Sequence, residues 1–95
     1  MYDAAWWADE INELVSAIPR AQGEDVDQKK ARVARFVGVS RATLYNILAG
    51  KPTRLVDVRG WLKLLSMVPE GKVVIRQNHL QKILQALGEN LERAS

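Results

Sequence analysis

The twenty residues from Lys30 to Ala49 read KARVARFVGVSRATLYNILA, and their spacing decides the fold. Val33 and Val37 stand four residues apart before Gly38, and Leu44 and Ile47 stand three apart after it. Each pair marks the buried face of a short helix. Gly38 falls where a tight corner needs φ > 0, which glycine alone adopts without strain. Ser40 is a good N-cap for a helix from Arg41 to Ala49, which Gly50 then stops. Ala34 is small where two helices must approach closely. Val33, Val37 and Val39 on one side, with Leu44 and Ile47 on the other, bury the corner between them.

Outward from this corner the chain continues to read as helices. Upstream, Asp3 can cap a first helix. Ala4, Trp7, Ile11, Leu14 and Ile18 form its apolar stripe. Pro19 ends that helix, because the residue before a proline is pushed out of the α region. Residues 20–24 (RAQGE) read as a loop. Asp25 or Asp27 caps the helix that runs to Val37, and Asp25 with Gln28 has the spacing of a capping box. Downstream, Leu55, Val58, Leu62 and Leu65 give a fourth stripe, with Trp61 beside it. Pro69-Glu70-Gly71-Lys72 reads as a turn. The β-branched run Val73-Val74-Ile75 predicts one short strand. Asn78 with Gln81 predicts a new helix start, with His79 on its surface. Leu80, Ile83, Leu84, Leu87 and Leu91 make the last amphipathic stripe, with Gly88 interrupting it. The expected fold class is all-α, about five helices, with one short β-strand near 72–76, in a single domain covering 1–95.

Composition narrows the function. The chain has 95 residues, no Cys and one His. At this length one domain buries roughly 60% of its unfolded surface. Without Cys there is no disulfide scaffold, thiolate metal site or Cys nucleophile. Five residues, Ala4 to Ala8, make the longest apolar run, against about 18 for a membrane span, so no membrane partner is expected. Asp3 precedes any Lys or Arg, so the start does not read as a signal peptide. Charge is unevenly placed: residues 1–27 carry −6, residues 28–56 carry +7 with no acid at all, and residues 57–95 carry +2. A purely basic middle predicts an anionic partner.

Charge and corner coincide. A small residue, a glycine four later, and apolar residues six and nine beyond it is the helix-turn-helix pattern, whose second helix enters the DNA major groove. Since Leu44 and Ile47 face inward, Arg41, Ala42, Tyr45 and Asn46 face outward as base readers. Arg holds guanine O6 and N7, Asn holds adenine N6 and N7, and an Ala methyl meets the thymine methyl. Lys29, Lys30, Ser40, Thr43, Lys51, Thr53 and Arg54 surround that helix as candidate phosphate contacts.

On Ala34, Gly38, Val39, Ser40, Leu44, Ile47 and Gly50-Lys51-Pro52, the sequence resembles the Cro/CI (lambda-repressor-like) helix-turn-helix proteins. The specific match covers residues 30–54. The Gly-Val-Ser-Arg-Ala-Thr-Leu-Tyr stretch also resembles resolvase and TetR-type DNA-binding helices. Lys30 stands where the Cro/CI family often has Gln, and the loop from Pro19 to Val26 is long for that family. The resemblance implies a bacterial, phage or plasmid regulator, cytoplasmic and nucleoid-associated, with a double-stranded DNA operator as partner.

Other chemistries fit less well. Asp9, Glu10 and Glu13 share one helix with no His or third-element partner in sight, and read as a solvated face. Arg32 and Arg35 read the same way. Trp7 and Trp61 read as core, and Trp6 as covering the core edge or a partner. No catalytic set, phosphate loop or dinucleotide fingerprint is present, so no enzyme, cofactor, metal or small-molecule ligand is expected. A lone strand leaves its edges unpaired. Residues 72–91, through Val73, Val74, Ile75, Leu80, Ile83, Leu84, Leu87 and Leu91, are therefore expected to form a homodimer. The expected function is a homodimeric repressor that occludes a promoter by inserting helix 41–49 into a pseudo-palindromic operator. The alternative is an antitoxin or adaptor whose main partner is a protein, docked by Tyr2, Trp6 and the 72–91 surface. A non-specific architectural DNA protein fits poorly, since no apolar wedge is evident.

Overall fold

Amphipathic segments separated by helix breakers fold as helices in the computed structural model, which describes residues 4–51 and 58–94, the side chains at 58, 86, 87 and 89–94 excepted. The helices are α1 (Ala4–Ala17), α2 (Val26–Val37), α3 (Arg41–Leu48), α4 (Val58–Met67) and α5 (Val73–Ala94). α1 and α2 both pack on α3 and α4, and α5 packs on α4.

Each boundary has a local cause. α1 stops before Pro19. α2 opens on the expected capping box: the Asp25 carboxylate accepts from the Gln28 N–H at 2.7 Å, and the Gln28 side chain accepts from the Asp25 N–H at 2.8 Å. It closes at Gly38, whose φ of 91° lets the Gly38 and Val39 N–H groups both reach the Ala34 carbonyl. α3 opens at Ser40, whose hydroxyl accepts from the Thr43 N–H at 3.0 Å.

The core is one cluster. Trp7, Ile11 and Leu14 from α1, with Ile18 just past its end, meet Val33, Ala34 and Val37, then Leu44 and Ile47, then Trp61, Leu64, Leu65 and Val68. Trp6, Trp7 and Trp61 contact one another edge to face, with centroids 5.1–5.7 Å apart.

The structure corrects three expectations about the helices and their ends, and others about single side chains in the interface below. Val73, Val74 and Ile75 form the first turn of α5, not a strand, and no strand occurs among the described residues. An unpaired strand would leave its backbone groups unmet, whereas a helix satisfies them internally. The Arg76 N–H reaches the Lys72 carbonyl at 3.0 Å, and the Arg76 guanidinium closes the end of α4 on the Val68 carbonyl at 2.6 Å. β-branching costs only a few tenths of a kcal/mol per residue, too little to outweigh this. Asn78 and Gln81 accordingly lie inside the helix, not at its start.

The second correction concerns α4. It buries Trp61, Leu64, Leu65 and Val68, while Leu62 is exposed. Trp61 belongs to the buried stripe and does not stand beside it. Leu55 lies outside the described residues.

The third concerns Lys29, expected to contact phosphate. It is buried, and its ammonium donates to the Val15 and Ile18 carbonyls at 2.8 and 3.1 Å. Pro19 has no N–H to offer the Val15 carbonyl, which meets the Ile18 N–H only at 3.3 Å, and a cation at a helix C-terminus also favours the dipole. Burial pushes the Lys29 pKa below its ordinary value, with Arg20, Lys30 and Arg32 adding repulsion. Lys29→Met removes both of these bonds and leaves the Ile18 carbonyl unmet, and is expected to cost about 1–3 kcal/mol of stability in urea unfolding. The salt slope of DNA binding in the same variant is expected to be unchanged, whereas a phosphate contact would lower it by about one.

Candidate nucleic-acid interface

α3 is a short helix held at both ends. At its start the Ser40 hydroxyl accepts from the Thr43 N–H and donates to Thr43 Oγ1 at 2.8 Å. Both hydroxyls, expected at phosphate, are thus also the cap of α3. At its end Gly50 adopts φ 74°, so the Gly50 N–H reaches the Ile47 carbonyl and the Lys51 N–H reaches the Asn46 carbonyl. These are the two bonds of a Schellman ending. A further tie comes from a residue that no motif or spacing singled out. Asn12 in α1 donates to the Leu48 carbonyl at 2.9 Å and to its own Ala8 carbonyl at 2.8 Å.

So held, α3 divides by side. Leu44 and Ile47 are fully buried. Arg41, Ala42, Tyr45 and Asn46 line one open depression on the opposite side, the expected outward set. Arg41 and Ala42 are exposed, and Tyr45 and Asn46 are half-buried. Lys51 is exposed just beyond the helix. Thr53 and Arg54 lie outside the described residues.

Tyr45 has partners within the chain. Its hydroxyl donates to Asp27 Oδ1 at 2.6 Å. The Lys30 ammonium stands 5.2 Å and the Arg41 guanidinium 5.5 Å from its ring centroid, both in cation–π range. The Asp27 hydrogen bond, with some desolvation, raises the phenol pKa above its ordinary value.

Arg32 is not simply solvated. Its guanidinium donates to both Glu24 carboxylate oxygens at 2.9 Å and to the Pro19 carbonyl at 3.0 Å, closing the loop before α2. This bidentate bond, helped by the Ala21 N–H, holds the Glu24 carboxyl down to about 2, from an ordinary 4.5. A lowered folded-state pKa stabilises the protein above the unfolded value, and the benefit is lost as pH falls through the folded value. Wild type is therefore expected to exceed Glu24→Gln in thermal midpoint by a constant margin above about pH 5. The margin should close as pH falls from 4.5 towards 2.

The acidic side of α1 is also engaged, contrary to a solvated reading. His79, expected at the surface, is fully buried. Its Nδ1 accepts from Trp61 Nε1–H at 3.2 Å, which leaves the ring proton on Nε2 to be donated to Glu13 at 2.8 Å. Lys82 donates to both oxygens of Glu10 at 2.7 and 2.8 Å. These bonds fix α5 to α1. His79 lies between Ile75 and Ile83 at four-residue spacing, on the core side of α5. Ile83 is sealed inside this chain and leaves the expected dimerisation set. Ile75 packs partly on the core, while Val73, Val74, Leu80 and Leu84 are exposed. The side chains of Leu87 and Leu91 lie outside the described residues.

Among the described residues, no group of three or more His, Asp or Glu side chains is arranged to hold a metal ion, and no helix is long and apolar enough to cross a membrane. Comparison with protein-family models, curated proteins and solved structures finds no match to this chain.

Proposed function

We propose that this protein is a sequence-specific DNA-binding regulator of the Cro/CI helix-turn-helix kind, acting as a homodimeric repressor that occludes a promoter. One observation carries the reading. The corner at Gly38 turns Arg41, Ala42, Tyr45 and Asn46 outward on the same helix whose Leu44 and Ile47 fill the core. Those outward residue types match the donors, acceptors and methyl groups of base edges in the major groove. Lys30, Lys51 and the N-terminus of α3 supply positive potential around them. Val73, Val74, Leu80 and Leu84 offer the apolar surface for a second copy. A two-fold pair would set its recognition helices about 34 Å apart, or a multiple of that, along DNA. The reading implies a cytoplasmic, nucleoid-associated protein.

Fluorescence anisotropy with duplex fragments from the protein's own gene region tests this. The expected result is one fragment bound far more tightly than the rest, with affinity falling as salt rises. Equal affinity for every fragment contradicts the reading. The exposed α5 surface equally favours the second reading, an antitoxin or adaptor docked through that face. Light scattering after size exclusion separates the two: a dimer that Leu84→Glu dissociates supports the repressor, and a monomer at all concentrations favours the adaptor.

A further inference from the structure

We propose that Tyr45 is a positioning residue rather than a base reader: through its hydrogen bond to Asp27 it braces α3 against α2 and sets Arg41 and Lys30 for DNA. The proposal rests on the DNA-binding reading and refines it.

The geometry gives the phenol two roles at once. Its hydroxyl has a single proton, and that proton is committed to Asp27 Oδ1 at 2.6 Å, a short charge-assisted bond. Asp27 lies in the first turn of α2 and Tyr45 in the middle of α3, so the bond spans the corner made by Gly38. The ring of the same tyrosine has cations from both helices within 6 Å, Lys30 from α2 and Arg41 from α3. A long Arg side chain on an exposed helix loses rotamer freedom when it docks on a base. A ring that already holds it lowers that cost. The ionised Asp27 works in the same direction. It is an exposed negative charge beside a cationic face, so it repels phosphate where Lys30 and Arg41 attract it.

Anisotropy with two duplexes, one selected from random sequence and one scrambled, tests the brace. Tyr45→Phe keeps the ring under both cations and removes only the hydroxyl. Its selected-to-scrambled affinity ratio is expected to fall about two- to tenfold, the worth of one hydrogen bond. Its affinity for scrambled DNA is expected to be unchanged. Asp27→Ala should lower the ratio by the same factor while raising affinity for scrambled DNA, and Tyr45→Phe with Asp27→Ala should lower it no further. Asp27→Asn, whose side-chain oxygen still accepts, should keep the wild-type ratio. If Tyr45→Phe lowers the ratio and Asp27→Ala does not, the hydroxyl reads a base and the brace is overturned. Losses that multiply in the double variant, or no loss in either single variant, overturn it as well. A wild-type ratio of one instead overturns the DNA-binding reading. The brace is then judged by absorbance titration of the phenol, without DNA. Asp27→Ala should bring Tyr45 down towards the ordinary tyrosine range, Tyr2 being common to both proteins, and an unchanged titration overturns the bond.

Discussion

Trp61→Ala is expected to remove about 3–5 kcal/mol of stability, the usual cost of deleting a large aromatic from a core. For 95 residues the whole stability is about 5–14 kcal/mol, so this one substitution removes a large part of it. The position explains the size. Trp61 is fully buried, touches Trp6 and Trp7 edge to face, and donates its indole N–H to His79. The alanine leaves a cavity, and it also leaves the buried His79 Nδ1 without its donor. Both α1 and α5 are anchored there, so the cavity loosens two elements at once. Urea unfolding followed by tryptophan fluorescence measures the change. A loss below about 1 kcal/mol would mean that the aromatic cluster is not the centre of the core. Trp61→Phe, which keeps most of the packing but not the N–H, should fall between wild type and alanine and isolates the His79 bond.

Arg41→Ala together with Asn46→Ala is expected to abolish most sequence discrimination while leaving the fold intact. Both side chains lie on the outer side of α3, and alanine is the best helix former, so neither change opens the core. Each bidentate contact to a base is worth about 1–3 kcal/mol of discrimination, so losing two lowers the selected-to-scrambled ratio by about 2–6 kcal/mol. Residual binding persists through the phosphate contacts and stays salt-dependent. Lys51→Ala is the control: it should weaken both duplexes about equally. Competition anisotropy at fixed salt gives all of these values. A double variant that discriminates as well as wild type would place base reading elsewhere on the molecule.

The corner was legible because its constraints are local. Gly38 needs a positive φ, Ser40 needs only the Thr43 N–H three residues on, and Leu44 and Ile47 need only helical spacing. Two misread residues did carry a local signal. Lys29 precedes the buried Val33 and Val37 at four-residue spacing, and His79 stands between Ile75 and Ile83 in the same way. Their polar ends pointed to the surface, yet the spacing put them on the buried side, where carbonyls at the end of α1 and the Trp61 indole met them. Val73, Val74 and Ile75 were misread because strand propensity is weak beside the gain from closing the end of α4. The Tyr45–Asp27 and Asn12–Leu48 bonds join residues 18 and 36 positions apart, and no spacing rule reaches that far.

The most direct test of the central claim, that the outer side of α3 reads DNA sequence, is selection of bound sites from a random duplex pool by the wild-type protein and by Arg41→Ala with Asn46→Ala. The account predicts that wild type enriches a pseudo-palindrome with half-sites one or more helical turns apart, and that the double variant retains DNA but leaves the pool unenriched. A wild-type pool that stays random, or the same motif enriched by both proteins, would contradict it.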